Sequence, residues 1–273
     1  FEVVLPKFNV THTYIDGKDI RNFEEALQEN TTLIYLESPN SFSFELQDLE
    51  AVGNFARARG ITTIIDNSYC TPLFQNPHAY GIDLCLHSAT KYISGHSDTV
   101  AGVITGSKVR LKKIFDSELS NSGTSLSPFN AWLLLRGLRT LPIRLKHITE
   151  STMALLPFLK NHPKIAKVIF PFDTDFPQYE LARKQMTGAC GLLTIVLPPV
   201  SYEQIEQFAT GLKHFLLAVS WGGHESLVMP KAAGIRPENY DSSNEEHRMV
   251  RLYIGLESVE ELQQDLNQAL EVI

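Results

Sequence analysis

The order of apolar runs in the first quarter of the chain constrains the fold most strongly. The runs TTLIYLES at 31–38 and ITTIIDN at 61–67 are short, apolar and rich in β-branched residues, which is typical of buried strands. Between them, LQDLEAVGNFARARG at 46–60 repeats apolar residues at three- and four-residue spacing and ends in a glycine, which predicts a helix. This β-α-β order predicts two parallel strands joined by a right-handed crossover.

Further runs extend the pattern. LCLHS at 84–88 and AGVITG at 101–106 predict two more strands, so the first half is expected to form a doubly wound α/β sheet. The segment at 128–159 predicts a long helix that is bent or interrupted near Gly137 and Pro142.

The second half mixes strand and helix patterns in a shorter arrangement. The predicted strands are IAKVIFP, GLLTIVLP, LLAVSWG and MVRLYIGL, and the predicted helices lie at about 202–213 and 258–271. We therefore predict a large domain of mostly parallel sheet over residues 1–142 and a smaller C-terminal α/β domain over residues 143–273.

Composition disfavours several classes of protein. The formal net charge is −7 and the basic residues are scattered, so nucleic acid and anionic membranes are poor candidates for partners. The longest apolar runs fall well short of the roughly 20 residues of a membrane span, and the opening FEVVLPKFNV is unlike a signal peptide. Three cysteines without a CxxC pair indicate neither a disulfide framework nor a zinc site, and we expect a cytoplasmic protein.

Polar side chains follow two of the predicted strands. Asp66 ends one strand, and Ser88, Thr90 and Lys91 lie at the end of the next. Because ligands bind beyond the carboxyl ends of parallel strands, these groups are expected to face one crevice. Taken singly, Asp66 is more simply a helix cap and Lys91 a solvated lysine.

Together, the four side chains favour one cofactor. An amine can bind an aldehyde as a Schiff base, two hydroxyls can hold a phosphate, and a carboxylate can keep a pyridine nitrogen protonated. Pyridoxal 5'-phosphate needs all three functions at once. An aldolase that forms a Schiff base without a cofactor is disfavoured, because Asp66, Ser88 and Thr90 would then have no ligand.

The stretch DNSYCTPLFQNPHAYGIDLCLHSATKYISGHSD at 66–98 resembles the signature of the trans-sulfuration, or Cys/Met metabolism, enzymes of pyridoxal-phosphate fold type I. The resemblance continues through LIYLES, LLLRGLRTL, SWGGHESL and VRLYIGLES, in the order of that family.

The resemblance implies roles for particular residues. Lys91 would bind the cofactor and act as general acid and base, Asp66 would pair with the pyridinium, and Ser88 and Thr90 would hold the phosphate. Arg251 would bind the substrate α-carboxylate, assisted by Ser220. The small-molecule substrate would be a sulfur amino acid, namely cystathionine, methionine or cysteine, and the protein a homo-oligomer, either a dimer or a tetramer.

Two positions near this site depart from the family pattern. Ser41 stands where the family has the asparagine that approaches the cofactor, with Asn40 one place early, and His224 follows SWGG where an apolar or aromatic residue is expected. A further N-terminal segment, with a stacking tyrosine and a Tyr-x-Arg element, is also expected before the point that matches Phe1.

The leading hypothesis is a carbon-sulfur lyase or γ-replacement enzyme dependent on pyridoxal phosphate, with β and γ chemistry both open. The alternative is a catalytically silent fragment or subunit of the same fold. His87, His96 and Asp98 lack the spacing of a metal site, so we predict no bound metal.

Overall fold

The computed structural model describes residues 1–273 and contains two sheets. The strands are β1 Leu33–Glu37, β2 Thr62–Asp66, β3 Leu84–Ser88, β4 Gly102–Gly106, β5 Lys167–Ile169, β6 Leu192–Val196, β7 Leu216–Leu217, β8 Leu227–Pro230 and β9 Met249–Tyr253. The helices are α1 Ile20–Ala26, α2 Leu49–Ala58, α3 Thr71–Phe74, α4 Lys108–Ile114, α5 Pro128–Asn161, α6 Tyr179–Gln185, α7 Tyr202–Gly211 and α8 Val259–Ala269.

The first sheet has the strand order β1-β2-β3-β4. Strands β1, β2 and β3 are parallel, and β4 runs antiparallel to β3. The crossover helix α2 begins where the Asp48 side chain accepts hydrogen bonds from the backbone N–H groups of Glu50 and Ala51. The α/β class is thus confirmed, and this sheet is mostly parallel.

The second sheet has the order β5-β6-β9-β8-β7 and is mostly antiparallel, with only β7 and β8 parallel. Every residue of β6 and β9 is buried, in keeping with their mostly apolar sequences. Helices α7 and α8 both begin with a capping box, formed by Ser201 with Gln204 and by Ser258 with Glu261.

Helix α5 is continuous over 34 residues and includes Pro142, so the predicted interruption is wrong. The turn before Pro142 is held by side chains, since the Gly137 carbonyl accepts hydrogen bonds from Thr140 Oγ1 and from the Arg144 guanidinium. Pro142 has no N–H to donate to the preceding turn, and these side-chain contacts stabilise the helix at that point. The domain boundary after residue 142 falls within this helix and stays a prediction.

The apolar core is divided unequally. A large core of 41 buried residues surrounds the second sheet and α5, whereas a small core of eight lies between α2 and the first sheet. Phe44, Tyr69 and Tyr92, which follow β1, β2 and β3 in the chain, belong to the large core. The loops at the carboxyl ends of the first sheet therefore pack against the second.

Some elements differ from the sequence prediction. LLAVSWG forms a strand only at Leu216–Leu217, and the rest is a loop, while β8 and α6 were not predicted. The three cysteines are free and buried. No helix combines the length and the hydropathy that crossing a bilayer requires.

Candidate active site

Lys91 lies in the turn that follows β3, where its backbone N–H donates to the Ser88 carbonyl at 3.0 Å. Its half-buried side chain reaches the second sheet's loops, where Nζ donates to Ser220 Oγ at 2.7 Å and lies 4.1 Å from the centre of the Trp221 ring. Burial lowers the pKa of Lys91, the Arg251 charge lowers it further, and the Asp66 charge opposes both. The amine is therefore easier to deprotonate than an ordinary lysine.

Asp66 is the last residue of β2, and the Ser68 backbone N–H donates to its Oδ1 at 2.9 Å. Its second carboxylate oxygen carries no hydrogen bond within the chain, so it can accept one from a ligand. Glu37 is its register partner on β1. Desolvation raises the pKa of Glu37, and the Asp66 charge raises it further. Desolvation and the negative charges of Asp66 and Glu37 together raise the pKa of Tyr35 to about 12.

The two hydroxyl residues before Lys91 differ in their surroundings. The Ser88 backbone N–H donates to Ser68 Oγ at 2.6 Å, and the Ser88 hydroxyl makes no hydrogen bond within the chain. The Thr90 hydroxyl instead bonds to the backbone of Ala101, accepting at 3.0 Å and donating at 3.3 Å. Ser88 is therefore free for a ligand, whereas Thr90 must give up its carbonyl partner to donate to one.

Arg251 comes from the middle of β9 and is only 5% exposed. Its guanidinium donates to the Ser41 carbonyl at 3.1 Å, to the Val219 carbonyl and to Met229 Sδ at 3.3 Å. Two of the five N–H donors of an arginine remain for a ligand. Burial lowers the pKa of Arg251 to about 10.

Trp221 connects the two cationic groups. The centre of its ring lies 4.1 Å from Lys91 Nζ and 4.9 Å from Arg251 Cζ, and its buried indole N–H has no hydrogen-bond partner. Cation–π attraction to the ring favours both positions. The amine and the guanidinium are thus held beside one aromatic ring.

The loop after β1 contains Asn40 and Ser41, where the sequence departs from the family pattern. The Asn40 side-chain oxygen accepts from the backbone N–H groups of Phe42, Ser43 and Phe44 at 2.9–3.1 Å. Asn40 therefore shapes its own loop, and Ser41 contributes a backbone carbonyl to Arg251. The buried Phe44 has a positive φ of 57°, which these bonds help to hold.

The structure brings together most of the residues that the sequence singled out. Lys91 and Ser220 are in contact, Arg251 lies on the same indole ring, and Asp66 influences the lysine electrostatically. Sequence reasoning missed the stacking of Trp221 on Lys91, although its place beside Ser220 was a usable signal. It also missed Glu37, the partner of Asp66 on β1.

These groups fit pyridoxal phosphate. The site offers an amine with a lowered pKa, a carboxylate with a free oxygen and an unpaired serine hydroxyl, which match an aldehyde, a pyridinium and a phosphate. The residues that would hold the cofactor are Lys91, Asp66 and Ser88, with Thr90 as a further hydroxyl.

Other potential sites lie apart from these residues. No group of three or more His, Cys, Asp or Glu side chains is arranged to hold a metal ion. A cavity of about 300 Å³ lies between α5 and β5, and one of about 1090 Å³ lies beside β4 and α4. Neither is lined by Lys91, Asp66 or Arg251.

Comparison with known proteins gives a match over almost the whole chain. The family model described as Cys/Met metabolism PLP-dependent enzyme matches residues 1–271. The chain is 36% identical to L-methionine gamma-lyase of Treponema denticola over 274 residues, which cover 98% of this chain and 68% of that protein.

Two further relatives are named for different reactions. Cystathionine gamma-lyase of Bacillus subtilis is 34% identical, with 99% of this chain and 72% of that protein covered. Cystathionine beta-lyase of Lactococcus lactis is 32% identical, with coverage of 98% and 71%. Among solved structures, cystathionine gamma-lyase from Lactobacillus plantarum, complexed with L-serine, matches with a TM-score of 0.91 and 30% identity, covering 100% of this chain and 72% of that one.

Proposed function

Since the chain belongs to the Cys/Met metabolism family of PLP-dependent enzymes, we propose that it is a carbon-sulfur lyase or γ-replacement enzyme acting on a sulfur amino acid. Cystathionine, methionine and cysteine are the substrates to test. The relatives' names include both β- and γ-lyases, so the proposal covers both reaction types.

One observation carries the proposal. The Lys91 amine from the first sheet and the Arg251 guanidinium from the second lie beside the same Trp221 ring. An α-amino acid needs a cation for its carboxylate and a base near its Cα, separated by about the width of the amino-acid head group. The two sheets supply one group each.

The side chains would divide the work as follows. Arg251 binds the substrate α-carboxylate and so orients the Cα–H bond. Lys91, with its lowered pKa, holds the amine that takes up the Cα proton. Ser220 accepts a hydrogen bond from Lys91 and keeps Nζ on the substrate side. When bound, the cofactor supplies an electron-accepting ring that Asp66 keeps protonated.

Turnover by the purified chain tests the proposal. Thiol, α-keto acid and ammonia are measured after incubation with pyridoxal phosphate and each substrate. We expect release of products from at least one substrate, and its loss in Lys91→Ala. Lys146→Ala is the matched control, because Lys146 is exposed on α5 and makes only a long ion pair at 4.0 Å.

The outcomes separate the alternatives. Absence of turnover with every substrate, in a folded chain that takes up pyridoxal phosphate, would favour the silent subunit.

We also propose a homo-oligomer, which is supported by the exposed apolar side chains Trp132, Leu135 and Ile143 on α5. Sedimentation of the chain at several concentrations measures that state.

A further inference from the structure

Two loops from different sheets touch along their backbones beside the amine. The lysine loop, residues 91–98, follows β3, and the glycine loop, residues 220–226, precedes β8. A Cβ on Gly222 would lie 2.6–2.9 Å from backbone atoms of Lys91 and Tyr92, and Gly222 has a positive φ of 88°. Only glycine fits there, so the loops interlock at this point.

Besides the Lys91–Ser220 bond, a second hydrogen bond between side chains joins these two loops. Ser97 Oγ donates to Glu225 Oε1 at 2.5 Å, and the other carboxylate oxygen lies 3.2 Å from His224 Nδ1. A Cβ on Gly223 would fall 2.2 Å from Ser97 Oγ and 2.4 Å from Glu225 Oε2, so this glycine makes room for the pair.

Ser97 has the backbone φ of 57° that non-glycine residues rarely adopt. This conformation aims its hydroxyl at the other loop, where the charged acceptor makes the hydrogen bond a strong one. The cost of the backbone conformation is offset by a contact that links the two sheets.

The glycine loop is separately anchored to its own sheet. Tyr253 Oη donates to the Gly223 carbonyl at 2.7 Å, and the Leu256 N–H donates to the His224 carbonyl at 2.8 Å. These bonds tie the loop to its own sheet, whereas the Ser97–Glu225 bond ties it to the loop that carries Lys91. Ser220 and Trp221, which contact the amine, lie on the part of the loop that this bond positions.

We propose that Ser97 and Glu225 are positioning residues whose hydrogen bond holds the glycine loop against the lysine loop, and so fixes Ser220 and Trp221 on the Lys91 amine. Neither side chain contacts the amine itself. The inference rests on the proposed function, because it assigns the pair a role at the site proposed there.

Tryptophan fluorescence can report the position of this loop directly. The chain has two tryptophans, and Trp132 is exposed on α5, so Trp132→Phe leaves Trp221 as the only reporter. In that background, Glu225→Ala and Ser97→Ala are each expected to increase acrylamide quenching of Trp221. Loss of a charged hydrogen bond should raise the population of the displaced loop by about tenfold. Trace acetylation of Lys91, followed by mass spectrometry, should increase in the same variants.

Two controls distinguish positioning from general loss of stability. Glu225→Gln keeps an acceptor oxygen without the charge, so its quenching should lie between those of the parent and of Glu225→Ala. Ser258→Ala removes a similar serine–glutamate bond, 2.9 Å long, at the start of α8, and should leave Trp221 unchanged. A double variant of Ser97 and Glu225 should show no more quenching than either single variant.

The measurements use the full chain, with and without added pyridoxal phosphate, so they do not depend on turnover. Unchanged quenching and unchanged Lys91 acetylation in folded Ser97→Ala and Glu225→Ala would overturn the inference. An equal change in Ser258→Ala would also overturn it. The proposed function can fail by lack of turnover while these results stand.

Discussion

The two sheets pack against cores of very different size. The first sheet packs on α2 through eight buried residues, and four of the five β4 residues are exposed. The second sheet contributes to a core of 41, and β6 and β9 are entirely buried. The large core also takes in Phe44, Tyr69 and Tyr92 from the loops of the first sheet.

This difference indicates how the candidate site is held in place. Asp66 and Lys91 are delivered by strands with a small core, but the residues beside them in the chain are packed by the other sheet. The geometry of the amine should therefore depend more on the second sheet than on the strand that carries it.

The largest expected difference is in the free energy of unfolding of two variants, one in each sheet. Leu252 on β9 is fully buried, and Leu252→Ala should lower the free energy of unfolding by about 2–5 kcal/mol. Ile104 on β4 is 47% exposed, and Ile104→Thr, which keeps the β-branch, should cost less than about 1 kcal/mol. Urea unfolding measures both. Equal losses would contradict the difference between the two cores.

The second effect concerns the site residue that the second sheet supplies. Arg251→Lys keeps a positive charge but loses the planar fork, so kcat/KM should fall by about 10- to 100-fold, mainly through KM. Arg248→Lys is the matched control, because Arg248 also donates to a backbone carbonyl, that of Leu197, but does not contact Trp221. A similar fall in kcat/KM in both variants would contradict the proposal that Arg251 binds the substrate carboxylate.

The pH dependence of two lysines gives a third comparison. Burial lowers the pKa of Lys91, whereas the hydrogen bonds that Lys160 donates to Asp173 and Asp175 raise the pKa of Lys160. Competitive acetylation across the alkaline range should therefore show Lys91 reacting from a lower pH than Lys160. The reverse order would contradict a Lys91 amine whose pKa is lowered by burial.

The same shifts have opposite effects on stability. The folded-state pKa of Lys91 lies below its unfolded value, so its contribution to stability rises as pH increases through that window towards 10.5. The pKa of Lys160 is raised, so its contribution is present below 10.5 and is lost as pH rises through the raised folded value.

The smallest effect compares two helix caps. Asp48→Ala at α2 and Ser258→Ala at α8 should each cost about 1 kcal/mol, because each removes a side chain that accepts from backbone N–H groups. Hydrogen exchange should separate them. Asp48→Ala should speed exchange mainly within α2, which packs on the small core. Ser258→Ala should speed exchange in the elements that pack on the large core. Identical exchange patterns would count against this separation.

Local patterns in the sequence were enough to predict much of the fold. The apolar runs of β1, β2, β3, β6 and β9 identified those strands, since buried strands need continuous apolar sequence. Strand β8 was missed because it is four residues long and ends in Pro230. Helix α5 was predicted to be bent or interrupted near Gly137 and Pro142, because side-chain support around Gly137 cannot be read from sequence.

The candidate site was only partly predictable, for a physical reason. Lys91, Asp66 and Ser88 lie at strand ends, where position along the chain indicates position in space. Ser97 and Glu225 are 128 residues apart, and neither lies in a periodic pattern that would show their contact. The same holds for the carbonyls of Ser41 and Val219 that bond to Arg251.

We propose that Lys91 is the amine to which pyridoxal phosphate attaches. Borohydride reduction of the chain after incubation with the cofactor, followed by peptide mass spectrometry, tests this directly. We expect a pyridoxyl group on the peptide that contains Lys91, and none at that position in Lys91→Ala. A folded chain that carries the group only on other lysines, or on none, would contradict it.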